Sequence, residues 1–528
     1  MKRLPIYSVL LSITALGMGC EKHFLDVNVS PNNPTTASPA LVLTNALTQT
    51  ASIVSTDFVY MNGTQNYYGS SSQAATPGPV TTNNFTTASL ASVWTDTYHN
   101  LNDYAYIGQE AAATGEWFLV GVAKTMTSLD YQMLVDSYND VPFSQALKLD
   151  SGIITPVYDK AQSVYDSCIM ELDSAISLFE NTALIEGYNP GSADVMFQGN
   201  AVLWAKFANT LKLRMLLHEI NVSSRQALIK TEMAEIAADP IGPLGQGESA
   251  LVNPGYATDE SAHLNPLWST VGYAFNGSAA FIGAVANSYF INKLNGYSDP
   301  RVGYFYNTNS AGLIEGAALG GQGGNSSACY FGGPNNLENT ANNIPFNDTL
   351  PKGVSAPTTF GLLQSPTMSA IVVSSWESLF LQAEAVVRGL LPGNAQTLYE
   401  QAITDNFTYL NVTFGPANAY NPSPAAYAQN YLVQPIPNVG WNASAGNALL
   451  AVITQKYISL CFTDPLESWT DYRRTGYPSD LPFPDNPERL YDYPFRLLYP
   501  QVEYNTNADN VGVEGTITPV SPKIFWMP

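Results

Sequence analysis

Apolar residues recur at every third or fourth position through much of the chain, and this is the spacing of one face of an α-helix. In the stretch 117–136 the apolar positions are Phe118, Val122, Met126, Leu129, Met133 and Leu134. The same period marks 89–113, 157–179, 198–221, 374–390, 394–410 and 447–463. The pattern therefore predicts a mainly α protein.

The stretches 374–390 and 394–410 are separated by a short segment that contains Pro392 and Gly393. Both residues interrupt helices, so the two stretches are expected to form a helical hairpin. Small residues stand where these helices must cross closely: Ala383, Ala385, Gly389 and Ala402. Paired helices of this length resemble a tetratricopeptide unit. Because the repeat is degenerate, we predict irregular helical hairpins of the tetratricopeptide type rather than a regular solenoid.

The pattern changes between about 237 and 365, where Gly, Asn and Pro interrupt the helical periods. The glycines lack the Gly-Lys-Ser/Thr ending of a phosphate loop, so we interpret them as surface loops. Long loops inside a compact protein tend to be functional. No linker divides the chain, so we expect one domain over 20–528. In it, a helical scaffold at about 40–236 and 366–478 carries large loop-rich insertions at about 237–365 that form the binding face.

The first residues are typical of a bacterial signal peptide. Two basic residues precede an apolar run over 4–18, which Gly19 and Cys20 follow. The run of about 15 residues is shorter than the roughly 20 that a transmembrane helix needs. A small residue directly before a cysteine predicts a lipoprotein signal peptide over 1–19 and a lipid on Cys20. Ordinary cleavage, with Cys20 incidental, is the alternative.

The chain is acidic, with 43 acidic and 21 basic residues and a net charge of −22. Two of the basic residues lie in the predicted signal peptide, so 19 basic residues stand against 43 acidic ones afterwards, a charge of −24. Such a charge repels nucleic acid and anionic lipid surfaces, and we exclude both as partners. Because only 12% of the residues are charged, the surface must be rich in uncharged polar groups, which suit hydrogen bonding to neutral polyols.

Residues that usually carry catalysis or bind metals are sparse. Cys168 and Cys461 lie in helical periods and are expected to be small core residues, and with Cys329 they allow at most one disulfide. The four histidines show no metal-binding spacing: His23, His99, His218 and His263. No nucleophile, zinc or kinase signature is present. We therefore predict a non-enzyme without a cofactor or a metal motif, and leave open whether a structural calcium binds.

Several strings, in one order along the chain, resemble the SusD/RagB family of nutrient-binding proteins. They are FLDVNVSPNNP at 24–34, DSYNDVPF at 136–143, WAKFANTLKLR at 204–214, DPR at 299–301, AEA at 383–385 and ESWTDYRRTGYP at 467–478. The second string departs from the family, which has Gly where this chain has Asn139. Each string is weak alone, but together they cover nearly the whole chain, which is identified as a member of this family.

The resemblance implies a helical fold with four tetratricopeptide-like hairpins that pack against loop-rich binding elements. It also implies a lipid-anchored, surface-exposed protein of the bacterial outer membrane, which sits as a lid on a SusC-like TonB-dependent transporter. The matching residues are expected to be structural. Lys206, Asn209 and Arg214 would tie loops to the helical core, and Arg473 and Arg474 would clamp carboxylates or chain carbonyls.

Glycans present apolar CH faces that stack on aromatic rings, and we predict that six aromatic residues bind an oligosaccharide. These are Tyr67, Tyr68, Trp268, Tyr273, Tyr306 and Tyr330. The family's sugar contacts lie in variable loops, so the resemblance does not assign them. We expect alanine at Trp268, or at Tyr67 and Tyr68, to weaken binding without harming the fold, because loop residues contribute little to a core.

Three other functions stay open. The protein could be a lid for peptides or another non-glycan nutrient, since family members serve such nutrients too. It could be a structural adhesin without a small ligand. A glycoside hydrolase needs two carboxyls held about 5–10 Å apart, and no pair among the acidic residues stands out. We therefore favour capture of oligosaccharides and their delivery to the transporter, without catalysis.

Overall fold

The computed structural model describes residues 37–70, 78–186, 188–281, 283–307, 309, 313–320, 361–413 and 423–528. Its longer helices are α1 Pro39–Ser52, α2 Ala91–Thr114, α3 Trp117–Tyr138, α4 Ala161–Glu180, α5 Ala201–His218, α6 Gln226–Ala238, α7 Ser288–Gly296, α8 Ser375–Val387, α9 Ala395–Tyr409, α10 Pro424–Leu432, α11 Ala448–Ser459 and α12 Pro465–Thr475. The strands are β1 Tyr68–Ser70, β2 Ala250–Val252, β3 Ala284–Ala286 and β4 Ala370–Val373. Across these ranges, no helix has both the length and the apolar character to cross a bilayer.

Short helical turns connect these elements. The α-helical turns are Met61–Thr64, Pro79–Thr82, Thr182–Ile185, Val302–Phe305, Gln501–Thr506 and Ala508–Val513. Two π-helical turns occur at Ile53–Asp57 and Trp268–Gly272. The 3₁₀ turns are Leu149–Ser151, Gly191–Ala193, Glu219–Asn221, Ser223–Arg225, Ser261–His263 and Asn442–Ser444.

All of the helices that the apolar period predicts are confirmed, as α2, α3, α4, α5, α8, α9 and α11. Local residues explain where several of them begin and end. The side chains of Asn200 and Asn394 accept hydrogen bonds from the amides of Leu203 and Thr397, and so cap the first turns of α5 and α9. Helix α2 ends at Thr114 and is followed by Gly115, whose left-handed φ of 79° is favourable for glycine.

Helix α12 is the clearest helix that the apolar period does not mark, and its buried face is polar. Asp464 caps its first turn by accepting a hydrogen bond from the Glu467 amide, and Pro465 occupies the first position. The buried residues of α12 include Glu467, Ser468, Thr470, Asp471, Arg473 and Arg474. A search for apolar periodicity cannot find such a helix. Helices α1, α6, α7 and α10 are also additions to the prediction.

Consecutive helices pack as hairpins, as predicted. Helix α2 contacts α1 and α3, α3 contacts α4, and α4 contacts α5. In the second half α8 contacts α9 and α11, and α9 contacts α10. Helices approach closely at Gly121, where an added Cβ would lie 2.8 Å from the ring of Phe179. The predicted small crossing residues Ala383, Ala385 and Ala402 are buried.

The fourth predicted crossing residue, Gly389, is not at a crossing. It lies beyond the end of α8 with a φ of 71°, and an added Cβ would meet no atom within 4 Å. Its role is to end the helix, because a left-handed conformation is favourable for glycine.

In the described residues, two small antiparallel sheets connect the region 237–365 to the helical scaffold. Strand β3 pairs with β1, with Tyr68 opposite Ala286, and β2 pairs with β4, with Ala250 opposite Val373. The described part of this region therefore contains β2, β3 and α7 as well as loops.

Both cysteines that the structure describes are buried and unpaired. Cys168 lies in α4, and Cys461 follows the end of α11. This confirms the prediction that they are small core residues. Cys20 and Cys329 lie outside the described residues.

Candidate functional site

A network of buried ion pairs connects α12 to the hairpin helices. The guanidinium of Arg474 donates two hydrogen bonds to the Glu384 carboxylate, at 2.5 and 2.6 Å, and a third to Asp471 at 2.8 Å. The side chains of Arg474 and Glu384 are wholly buried. Burial alone would raise the pKa of Glu384, but Arg474 and Arg388 outweigh it and hold this pKa at about 2.

The network continues through Arg214 on α5. This guanidinium pairs with Glu377 on α8 and lies 3.4 Å from Asp464. The Lys456 ammonium lies 2.5 Å from Glu467 and 3.1 Å from Asp471. Each buried charge therefore faces an opposite charge, as burial away from water requires.

His218, at the end of α5, connects the network on α12 to α3. Its Nε2 lies 3.0 Å from Glu467, and its Nδ1 lies 3.3 Å from Asp136. Burial lowers the pKa of the imidazole, but these two carboxylates outweigh it and raise the pKa to about 9. The Trp526 indole also donates to Asp136, at 2.8 Å. A histidine between two carboxylates is common in active sites, but this ring is wholly buried, and we interpret the arrangement as structural.

The structural roles predicted for Lys206, Asn209, Arg473 and Arg474 are confirmed, whereas the closest partner of Arg214 is Glu377 on helix α8 rather than a loop residue. Lys206 binds Glu248 at 2.7 Å, and Asn209 donates to Asp239 at 2.5 Å, so both connect α5 to the segment after α6. Arg473 donates to the carbonyls of Asp136 and Phe495, at 2.6 and 2.9 Å. Arg474 clamps carboxylates, as described above.

Three acidic residues on α4 and α6 have the spacing of metal ligands. These are Asp173, Glu232 and Glu235. The Lys212 ammonium lies 2.5 Å from Asp173, 2.5 Å from Glu232 and 3.1 Å from Glu235. The lysine therefore supplies the positive charge that this cluster needs.

Aromatic rings reach the solvent on one surface, which we call the Tyr60–Phe281 surface. Tyr60 is 50% exposed, and its ring centroid lies 5.9 Å from that of the half-buried Phe281. Beneath them, Tyr68 of β1 meets Phe281 edge-on at 5.2 Å. The buried ring of Tyr68 thus supports the ring of Phe281, and its hydroxyl donates to the Tyr60 carbonyl at 3.5 Å.

A short hairpin precedes Phe281 in the chain. Residues Tyr273 and Ala279 form an antiparallel bridge, and the Ala274 amide donates to the Ser278 carbonyl at 2.9 Å. Phe275 lies in the turn and is 52% exposed. The hairpin follows the π-helical turn Trp268–Gly272 and leads directly to Phe281. Phe275 is thus a further solvent-exposed ring, on the hairpin that precedes Phe281 in the chain.

Most of the aromatic residues predicted to bind the ligand are in the core. Tyr67 and Tyr306 are wholly buried, and Tyr68 and Trp268 are only 7% and 5% exposed. Tyr273 is half-buried and lies beside Trp268, with ring centroids 5.7 Å apart. Tyr330 and the predicted lipid site Cys20 lie outside the described residues.

The positions of these rings correct one expectation. The ring of Tyr67 stacks on Tyr457 at 4.9 Å and meets the edge-on ring of Phe290 at 5.0 Å, and its hydroxyl donates to the Tyr457 carbonyl. The Tyr306 hydroxyl donates to the Tyr67 carbonyl. The expectation that Tyr67, Tyr68 and Trp268 contribute little to the core is therefore wrong.

The exposed rings of Tyr60 and Phe275 and the half-buried ring of Phe281 were missed from the sequence. Phe275 precedes Asn276 and Gly277, a dipeptide that is typical of a hairpin turn. Of the three rings, Phe275 is therefore the one whose exposure the sequence could have predicted. Nothing in the residues around Tyr60 distinguishes it from Tyr67.

Comparisons with known proteins agree on one family. A model of the SusD-like family, described as starch-binding and associating with the outer membrane, matches residues 31–500. Among curated proteins, none matches the chain significantly.

Solved structures share the fold. A SusD homologue from Bacteroides fragilis has 23% identity and a TM-score of 0.68, over 93% of this chain and 99% of that one. A SusD/RagB family protein from Bacteroides thetaiotaomicron has 19% identity and a TM-score of 0.68, over 93% and 99%. A chitin-binding SusD homologue from Flavobacterium johnsoniae has 21% identity and a TM-score of 0.67, over 92% and 100%.

Proposed function

The chain belongs to the SusD-like family of starch-binding proteins that associate with the outer membrane, and we propose that it captures oligosaccharides at a bacterial cell surface without cleaving them. The Tyr60–Phe281 surface is the observation that links this proposal to particular residues. A sugar ring can lay its apolar CH face on an aromatic ring. Exposed rings that are held from below by packed aromatic residues offer such faces without a large loss of side-chain freedom.

The charge of the protein restricts its ligand. The acidic chain repels polyanions, so the ligand is a neutral or weakly charged glycan. The family description suggests α-glucans such as starch fragments, and the chitin-binding relative suggests chito-oligosaccharides as a second class. The ligand is extended, because several rings must stack to offset the cost of immobilising both partners.

Alanine at Tyr60 or Phe275 should weaken glycan binding. We expect the dissociation constant for maltoheptaose or chitohexaose to rise about two- to tenfold, since each ring supplies about 0.5–1.5 kcal/mol of stacking. Isothermal titration calorimetry of the purified protein measures this change. Trp117→Ala is the matched control, because Trp117 is an aromatic residue on α3 with 36% exposure that lies outside the surface.

Two results would count against this proposal. Equal effects of Tyr60→Ala and Trp117→Ala would remove the surface from the binding site. Binding of peptides, with no glycan bound, would instead favour the alternative of a lid for a non-glycan nutrient.

The cellular part of the proposal follows from the sequence and the family. We place a lipid on Cys20, the protein on the outer membrane surface, and a SusC-like TonB-dependent transporter beneath it as the receiver of the glycan. The motivation is the short apolar run before Gly19 and Cys20, together with what the family resemblance implies.

Replacement of Cys20 should release the protein from the membrane. We expect Cys20→Ala to move the protein into the soluble fraction, because no acyl chain would anchor it. The unchanged protein, extracted in mild detergent, should copurify with a transporter of much greater mass. Cys329→Ala leaves the predicted signal intact and should behave like the unchanged protein. Retention of Cys20→Ala in the membrane would contradict the lipid anchor. Purification of the unchanged protein without a transporter would contradict the proposed partner.

A further inference from the structure

A polar cleft of about 460 Å³ opens beside the first turn of α5. Its walls come from the turn 192–198, the end of β2 with 253–255, and Ser369 before β4. This volume is within the range of about 300–1,000 Å³ that is usual for small-molecule sites. The cleft shares no residue with the Tyr60–Phe281 surface.

The first wall is a turn that Asp194 holds in place. Its buried carboxylate accepts hydrogen bonds from the amides of Met196, Phe197 and Gly199, at 3.1, 3.0 and 2.8 Å. It also accepts from the Trp204 indole, at 2.8 Å. Four N–H donors satisfy this carboxylate, so its oxygens are occupied within the wall rather than offered to a ligand.

Gln198 extends from this turn in an unfavourable backbone conformation. Its φ is 53°, a region that non-glycine residues seldom adopt and that tends to be kept at functional sites. The residue is exposed and lines the cleft. Its side-chain amide has no hydrogen-bonding partner within the described ranges. The amide thus offers a donor and an acceptor to a ligand.

Asn253 builds the second wall. Its Oδ1 accepts from the amides of Gly255 and Tyr256, at 2.9 and 3.0 Å, and its Nδ2 donates to Ser369 at 3.3 Å. The Ser369 hydroxyl and the Ser192 hydroxyl, on opposite walls, line the cleft. Both walls are therefore ordered by internal hydrogen bonds before any ligand binds.

The chemistry of the walls selects the ligand. Among the described residues, the lining includes no aromatic ring, and its one charged group is the satisfied carboxylate of Asp194. Amide and hydroxyl groups that both donate and accept match the vicinal hydroxyls of a sugar. We infer that this cleft is a second binding site, which takes the end of a neutral saccharide by hydrogen bonding rather than by stacking. This inference rests on the proposed function only in taking the ligand to be a glycan.

Gln198→Gly tests the cleft without disturbing the fold. Glycine adopts a φ of 53° readily, so the urea midpoint of the variant should equal or exceed that of the original protein. The loss of the side-chain amide should weaken binding of maltotriose or chitotriose at the cleft about tenfold. Hydrogen exchange with each trisaccharide at millimolar concentration locates the binding, and the unchanged protein should show protection at 191–199 and 253–257. Leu147→Gly is the matched control, since Leu147 also has a positive φ, of 59°, and lies outside the cleft.

A second variant blocks the cleft from the other wall. Ser192→Trp places a large ring in the opening and should abolish the protection at both segments, and Tyr60→Ala should leave that protection unchanged. If neither Gln198→Gly nor Ser192→Trp alters protection while Tyr60→Ala weakens binding of the longer glycans, the cleft is not a site and the proposed function stands. If no glycan binds the unchanged protein, both proposals fail. Unchanged protection of both segments in Gln198→Gly, together with a lower midpoint, would contradict the role of this amide in binding and assign the residue a purely structural role.

Discussion

Alanine at Arg474 is expected to lower the free energy of unfolding by about 3–5 kcal/mol, the usual cost of leaving a buried charge without its partner. The guanidinium binds Glu384 through two hydrogen bonds and Asp471 through a third. All three side chains are buried, so water cannot replace the lost donors. The pair connects α12 to α8, and its loss should weaken the contact between them.

Urea unfolding followed by circular dichroism measures this effect as a lower midpoint with an unchanged slope. Arg474→Lys retains the charge but not the planar, forked guanidinium, so its urea midpoint should lie between those of the alanine variant and the original protein. The matched control is Arg388→Ala, which removes the other guanidinium at Glu384. The Arg388 side chain is 22% exposed, and its loss should cost only about 0.3–1 kcal/mol. Equal losses at the two arginines would show that burial of the Arg474 pair does not determine its contribution.

Alanine at Tyr67 should destabilise the protein by about 3–5 kcal/mol, the range found for aromatic-to-alanine changes in cores. The ring is wholly buried between Tyr457 and Phe290, and a cavity would remain where it packs. Tyr67→Phe should cost less, about 1–2 kcal/mol, because it removes only the hydroxyl that bonds to the Tyr457 carbonyl and to Ser468.

Tyr60→Ala is the matched control for Tyr67→Ala, since half of the Tyr60 ring already faces solvent. We expect its free energy of unfolding to stay within about 1 kcal/mol of the original. Tyr60→Ala should therefore reduce glycan binding in a stable protein, whereas Tyr67→Ala should affect binding only as far as it destabilises the fold. A stable Tyr67→Ala protein that no longer binds glycans would instead restore Tyr67 as a ligand contact.

The helical scaffold could be predicted from the residues because its signals are local. An apolar period of three to four residues requires only one buried face, and caps such as Asn394 and breakers such as Gly393 act within one turn. The hairpin of α8 and α9 was therefore predicted almost to its ends. Helix α12 could not be predicted from an apolar period because its buried face carries charges. These charges become stable only when Glu384 and Lys456, from other helices, lie against them.

The exposure of each ring could not be predicted, because it depends on elements far apart in the chain. The Tyr67 hydroxyl contacts a carbonyl 390 positions away, at Tyr457, and the ring of Phe290 covers one of its edges. Tyr60 lies only seven positions earlier and is still half exposed. A count of tyrosines in loops treats both residues alike. The packing of Phe290 on α7 and Tyr457 on α11 against Tyr67 separates the two tyrosines, since it removes the Tyr67 ring from water, whereas Tyr60 stays at the surface, where a ligand can reach it.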